Sequence, residues 1–329
     1  MIDISNMTFP IQSYPEWEVI DSSKLNDYIL CSRMYFFIHI LGWKSTSPRN
    51  DLKFGEAWHV AMEHLLLHGY SNKSVVDAYD KFLECYREEF DEESDELFGA
   101  KTPNNALKAL AQYSNKYERD LDELEILYTE IVGTVPITSS QVLHFKMDSI
   151  FRQRGGANLY GSFEHKTKGG GISQSWFNTW LMSIQIGTYH HVLYCLYPEN
   201  VVDGVKINGA GFLKTKFDFQ RLPIKKTRPQ MQVWLSIVLK YIDDMKRDLD
   251  MLSESDASDN LLDAFAHRPQ ACDKWWGCPF LDYCISWPNP LRECDEPPMG
   301  YKVEFWDPRR ERATTKMDLT EGGGIKKDV

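Results

Sequence analysis

The stretch "NLYGSFEHKTKGGG", residues 158 to 171, contains an acid and a lysine two positions apart, Glu164 and Lys166. On a β-strand they project from one face, with Phe163 and His165 on the other. Upstream, "VLHFKMDSIFR" is a second strand-like run, and "QRGG" between the two reads as a hairpin turn. A turn centred near Gly155 and Gly156 reflects Asp148 onto the neighbourhood of Glu164. Two carboxylates on adjacent strands suit a hard divalent cation such as Mg²⁺ or Mn²⁺, which takes oxygen ligands from carboxylates, water and phosphate. Such an ion lowers the pKa of bound water and offsets charge on a phosphodiester in its transition state. The lysine adds a cation where the attacking water or the developing negative charge lies. An isolated Glu-x-Lys triplet reads equally well as a solubility pair on a surface strand, so it is Asp148 that turns the triplet into a chemical set. The following "KGGG" lacks the frame of a phosphate-binding loop and reads as a connection.

A second constellation is built from sulfur. Seven cysteines in a chain whose N-terminus has no secretory pattern argue against a disulfide framework. Cys272, Cys278, Cys284 and Cys294 crowd one region, and "CDKWWGCPFLDYC" spaces three of them evenly. Thiolates so placed serve zinc or an iron–sulfur cluster. The net charge of -11 argues against a nonspecific polyanion binder, yet leaves room for a local basic track. Between Lys206 and Arg228 the positives Lys206, Lys214, Lys216, Arg221, Lys225, Lys226 and Arg228 face a single acid, Asp218. Lys214, Lys216, Arg221 and Lys225 are the candidate phosphate contacts there, with Lys214 and Lys216 on one strand face. Arg33, Tyr35, Phe36 and Phe37 offer either a stacking surface for single-stranded bases or ordinary core packing.

The elements that must position these residues follow from patterning. A helix capped by Ser22 or Ser23 opens the first, and "LKFGEAWHVAMEHLLLHG" gives another from about Phe54 to His68, with His59 and Glu63 on one face. Residues 74 to 132 are expected to be mostly helical, before the strand pair. "SQSWFNTWLMSIQIGTYHHVLYCLY" reads as one long helix carrying Gln185 and Tyr189 at i and i+4. "DGVKINGAGFLKTKFDFQRL" reads as a further strand pair and "RPQMQVWLSIVLKYIDDMKRDLDML" as a final amphipathic helix. No window is apolar enough for a membrane span.

Taken together, Asp148 followed by Glu164-His165-Lys166 resembles the signature of the PD-(D/E)XK nuclease superfamily. "FGEAWHVAMEHLL", "QIGTY" and the late cysteines resemble, in the same order, motifs of its RecB/Cas4/AddB-like branch. Met147 stands where the superfamily's name has proline. The resemblance implies an α/β, restriction-endonuclease-like core, a central mixed sheet flanked by helices, with an N-terminal helical insertion and a C-terminal cysteine cluster region. The corresponding organisation is an N-terminal segment 1–21, a helical region 22–132 carrying Cys31 and His59, a nuclease core 133–262, a cysteine region 263–295, and a tail 296–329 that is poorly ordered at its end.

It further implies roles. His59, Asp148, Glu164 and His165 become the Mg²⁺ or Mn²⁺ ligands, Lys166 a catalytic residue near the attacking water, and Gln185 and Tyr189 residues that orient DNA. Cys31, in "CSRMYFF", joins Cys272, Cys278 and Cys284 around a 4Fe–4S cluster, with zinc as the alternative and Cys294 as the substitute for Cys272. The expected activity is metal-dependent DNA hydrolysis, as an exonuclease on single-stranded DNA or duplex ends in recombination, repair or CRISPR-adaptation-like processing. The expected setting is the cytoplasm of a prokaryotic cell or phage-infected host, with a helicase or recombination partner. The alternative is a weakly catalytic or non-catalytic iron–sulfur or zinc scaffold that binds DNA beside such a partner.

Overall fold

The computed structural model describes residues 2–95, 97–156, 158–274, 277–321 and 323–327. In chain order its main helices are α1 (Ser22–Leu30), α2 (Ser32–Tyr35), α3 (Asn50–His68), α4 (Asn72–Tyr86), α5 (Pro103–Lys116), α6 (Asp120–Glu123), α7 (Gln174–Leu181), α8 (Ile184–Leu196), α9 (Arg228–Ser253) and α10 (Leu281–Ser286). The strands are β1 (Trp43–Ser45), β2 (Leu124–Pro136), β3 (Val142–Gln153), β4 (Tyr160–Gly169), β5 (Val202–Phe212), β6 (Phe217–Ile224), β7 (Tyr301–Val303), β8 (Thr315–Asp318) and β9 (Ile325–Lys327). A seven-stranded mixed sheet runs in the order β6-β5-β4-β3-β2-β8-β9. β4 and β5 are parallel, whereas β3–β4, β5–β6 and β8–β9 are antiparallel. Among the described residues, no helix is long and apolar enough to cross a membrane.

The chain divides into two compact units. One comprises Met1–Ser47, Thr134–Phe145 and Arg228–Glu311, the other Pro48–Gly133, Lys146–Thr227 and Arg312–Val329. The second has its core where α3, α4 and α5 bury Phe54, Trp58, Phe82, Leu110 and Tyr113 against Phe212 and Phe219 of β5 and β6. In the first, Phe37 stacks on Trp43 and Phe280, and Trp43 meets Tyr283 and Trp287 edge-on. These aromatic contacts tie the segment after α2 to the cysteine region around α10.

Several expectations are corrected. The helical region ends at Glu123, and Leu124–Pro136 is a strand, because Ile126, Thr129, Ile131, Val132, Thr134 and Val135 favour a pleated surface over a helix. The helix expected to be continuous across 174–196 is two helices. Ser183 interrupts it, its hydroxyl accepting from the Ile186 N–H to cap α8. Asp21 rather than Ser22 or Ser23 caps α1, accepting from the Lys24 N–H at 2.8 Å. The tail contributes β7, β8 and β9, two of them to the main sheet, since β8 supplies partners for backbone groups along β2. Asp328 and Val329, at the end expected to be poorly ordered, lie outside the described residues.

Candidate metal centre and cysteine site

The hairpin of β3 and β4 pairs Ser149 with Phe163, Ile150 with Ser162, Phe151 with Gly161 and Arg152 with Tyr160. One further step of this register sets Asp148 opposite Glu164, and the His165 N–H donates to Asp148 Oδ2 at 2.6 Å. From α3, packed on β4, His59 Nδ1 reaches Asp148 Oδ1 at 3.1 Å. Lys166 Nζ pairs with Glu164 Oε1 and sits 5.3 Å from the centre of the Trp180 ring of α7. α7 can come this close because Gly209, the β5 partner of Lys166, leaves room for Ile172 and Trp176, which a Cβ there would meet at 2.5 and 2.9 Å. The carboxylates of Asp148 and Glu164 are 8% and 2% exposed, while His59 and Lys166 are 26% and 25% exposed. The anionic groups therefore lie at the bottom and the cationic ones at the opening.

Electrostatics follow from this burial. Burial works against the Asp148 carboxylate, but the His59 ring beside it wins and holds its pKa below the ordinary range. Burial, with Asp148 as a like charge, pushes Glu164 up. Burial opposes charge on Lys166 and on His59, yet Glu164 raises the first and Asp148 the second. Glu164 Oε2 is buried with no hydrogen-bond partner among the described residues, so one lone-pair-bearing oxygen faces an unfilled need.

The structure adds a residue that patterning did not single out. Glu130, on β2, is buried, and its carboxylate joins His59 and Asp148 in a group whose ligand atoms all lie within 4.8 Å. Its φ is +39°, a left-handed conformation that glutamate rarely adopts. Burial, then Asp148, lifts its pKa to about 7, and Lys146 Nζ stands 3.4 Å from its Oε2. Reading the β-branched run of residues 126–135 as a strand would have placed Glu130 near Asp148. A second candidate group, Glu56, Cys85 and Glu88, already surrounds the ammonium of Lys53, which lies 3.1 Å from Glu56 and 2.6 Å from Glu88.

Other expected residues fall differently. His165 does not bring its ring into the metal group. By strand alternation it faces away from Glu164 and Lys166, its two ring nitrogens are buried without partners, and burial pushes its pKa down to about 3. Gln185 and Tyr189 come together as expected, but from below: Gln185 Nε2 donates to Tyr189 Oη at 2.8 Å, and the buried Tyr189 hydroxyl donates to the Lys146 carbonyl of β3. That pair supports the strand carrying Asp148. Arg221 is held inside the fold by both oxygens of Asp120 at 2.8 and 2.7 Å, by Asn208, and by the rings of Tyr117 and Phe163. Lys214 and Lys216 are exposed in the β5–β6 turn and not on a strand face, and Lys225 is exposed beyond β6. Tyr35, Phe36 and Phe37 are core residues, at most 2% exposed, and cannot offer a stacking surface.

In the other unit, Cys31 ends α1, the Cys278 N–H donates to the Cys272 carbonyl at 2.9 Å, and Cys284 lies on α10. Burial, then Cys31 and Cys272, raise the thiol pKa of Cys278, and burial, then Cys278, Cys31 and Cys272, raise that of Cys284. Cys294 stands apart, its Sγ 3.7 Å from the Leu291 carbonyl. Among the described residues no three of these thiols lie within 4.8 Å of one another, whereas tetrahedral zinc with Zn–S near 2.3 Å needs sulfurs about 3.8 Å apart. Beside them is Arg33, 1% exposed, whose Nε and Nη2 donate to the carbonyls of Phe265 and Leu262 at 2.9 and 2.7 Å. Its Nη1 is buried without a partner among the described residues, and burial depresses its pKa against the opposing influence of Cys284 and Cys31.

No family model matches the chain, and no curated protein matches it at a significant level.

Proposed function

We propose that this chain is a metal-dependent deoxyribonuclease of the PD-(D/E)XK type, with a restriction-endonuclease-like core. The observation that carries the proposal is the register that sets Asp148 opposite Glu164 with Lys166 paired to that glutamate. Asp148 and Glu164 would hold Mg²⁺ or Mn²⁺, with His59 as a further ligand. When bound, such an ion lowers the pKa of a water and offsets charge on the phosphate oxygens. Lys166, at the opening of the site, stands where it can orient the attacking water and balance the charge that grows on phosphorus-bound oxygen. In the hydrolysis the water oxygen bonds to phosphorus, the bond to the leaving sugar oxygen breaks, and one water proton is lost as that oxygen gains another. Tyr189 and Gln185 fix the backbone of β3, and with it Asp148, against the helix beneath. DNA is the substrate this reading expects, as single strands or duplex ends. Cys31, Cys272, Cys278 and Cys284 would hold a 4Fe–4S cluster that stabilises the unit they belong to.

The test is incubation of end-labelled single-stranded and duplex DNA with the metal-replete chain in Mn²⁺, Mg²⁺ or EDTA. Cutting that EDTA abolishes supports the proposal. A folded, metal-replete chain that binds DNA without cutting it would instead mark a scaffold.

A further inference from the structure

Resting on the nuclease reading, we infer that α7 is a platform for unpaired DNA bases. The rings of Phe177 and Trp180, with Leu181 and Met182 beside them, take the bases next to the phosphate that this reading sets at Lys166. A single strand or a frayed duplex end is then the preferred substrate, and the interior of a duplex is not. α7 reads "QSWFNTWL", three aromatic rings and a leucine in one short helix, yet none of its residues is buried. A helix of this composition ordinarily turns an apolar stripe into the core. Here Leu181 and Met182 are 48% and 66% exposed, and Trp176, Phe177 and Trp180 are half-buried. Pairs at i and i+4 make two stripes. Trp176 and Trp180 form the inner one: Trp176 lies over Gly209, where a Cβ would meet it at 2.9 Å, and the Trp180 ring centre is 5.3 Å from Lys166 Nζ. Phe177 and Leu181 form the outer one. The helix is pinned at its ends, where Ser173 Oγ accepts from the Trp176 N–H at 3.3 Å and Lys226 Nζ donates to the Leu181 carbonyl at 2.6 Å.

Charge decides what this face takes. In a chain of net charge -11, the segment from Gly169 to Pro198 contains no carboxylate. On β4, Lys166 and Lys168 share a strand face at the foot of α7, and both are half-buried. Of the acids close by, Glu164 lies beneath Lys166, 2% exposed, and Asp218 is engaged by the Ile172 N–H at 2.8 Å and by Gln220 at 3.1 Å. Apolar rings with lysines at their foot and no acid among them suit a polyanion that carries flat apolar faces of its own, as a nucleic-acid strand does. Inside a duplex both faces of every base are covered by the neighbouring pairs. Only an unpaired or terminal base can therefore lie on Phe177 or Trp180. Every base has such a face, so the platform selects strandedness and not sequence.

The test is binding by the full chain, in EDTA so that nothing is cut, of an oligothymidylate carrying one 2-aminopurine, against relaxed closed-circular duplex, which has no ends. Wild type should bind the oligonucleotide about tenfold or more tightly than the circle, per nucleotide, and quench the 2-aminopurine. Phe177→Leu and Trp180→Leu keep the bulk but remove the ring. Each should weaken oligonucleotide binding about tenfold, reduce the quenching and leave binding of the circle as it was, while Trp180→Phe should restore most of the loss. Leucine variants that bind and quench like wild type overturn the inference and leave the nuclease reading intact, as does a wild type that binds circle and oligonucleotide equally. A dimeric chain that Phe177→Leu makes monomeric, with oligonucleotide binding unchanged, would put a second copy on this face and overturn it too. A chain that quenches the oligonucleotide as described but never cuts DNA in Mn²⁺ overturns the nuclease reading alone. Melting checks that the variants fold; should Trp180→Leu fail to, Phe177→Leu carries the test.

Discussion

Replacing Arg33 with methionine should destabilise the unit containing the cysteines far more than the loss of an ordinary surface charge would. The guanidinium is 1% exposed and donates to three carbonyls, those of Phe265, Leu262 and Ala264 at 2.9, 2.7 and 3.4 Å. Hydrogen bonds to a charged group contribute about 1.5–3 kcal/mol each, and the 3.4 Å contact adds little. Methionine fills most of the volume but leaves two well-bonded carbonyls buried without donors. The expected loss is therefore on the order of 3–5 kcal/mol, a large share of the roughly 5–15 kcal/mol that holds a typical domain. Burial also depresses the Arg33 pKa, with the thiols of Cys284 and Cys31 acting against it, so the same side chain links the helix after Cys31 to the sulfur set. Urea unfolding of wild type, Arg33→Met and Arg33→Lys, each with and without bound metal, measures the effect. Lysine, with its charge but fewer donors, should recover only part of it. A methionine variant within about 1 kcal/mol of wild type would show that those carbonyls find other partners, and would refute the reasoning.

Cys278→Ser should release bound iron and lower the melting temperature, whereas Cys294→Ser should do neither; iron content and melting of the two variants, measured side by side, check the assignment of the four thiols. His144 is buried, with Nε2 unpartnered, and burial, followed by Arg309, holds its pKa near 4 against an ordinary 6.5. Between pH 6.5 and about 4 the unfolded chain takes up a proton that the folded one refuses, so stability is intact above this window and falls as pH drops through it. The fall attributable to this ring is on the order of 3 kcal/mol, and His144→Gln should flatten the pH dependence of the unfolding free energy, measured by urea, by about that amount.

The centre of the site was legible because its logic is local. Two glycines at a turn and a period of two are enough to bring Asp148 across from Glu164, and Gly69, at φ +90°, ends α3 where the pattern breaks. What escaped is what distant segments decide. Glu123 and Leu124 follow a run of good helix formers, so the start of β2 looked helical, and with it Glu130 was lost from view. β8 has only four residues, too short a run for its alternation of buried Thr315 and Met317 with exposed Lys316 and Asp318 to mark it as a strand; its place beside β2 settles its state. Arg221 read as a free cation because Asp120, which claims it, lies 101 positions away in sequence. His165 entered the ligand set by its place in the motif; strand alternation turns its ring away from Glu164, 6.2 Å from the rings of both His59 and Phe163.

The most direct measurement compares single-turnover DNA cleavage by wild type and Lys166→Ala in Mn²⁺, with ion binding followed in the same samples. If Asp148, Glu164 and Lys166 act as one hydrolytic set, the variant binds Mn²⁺ and DNA but cuts about a hundredfold or more slowly. A variant that cuts as fast as wild type, or a wild type whose cutting EDTA does not stop, would contradict the account.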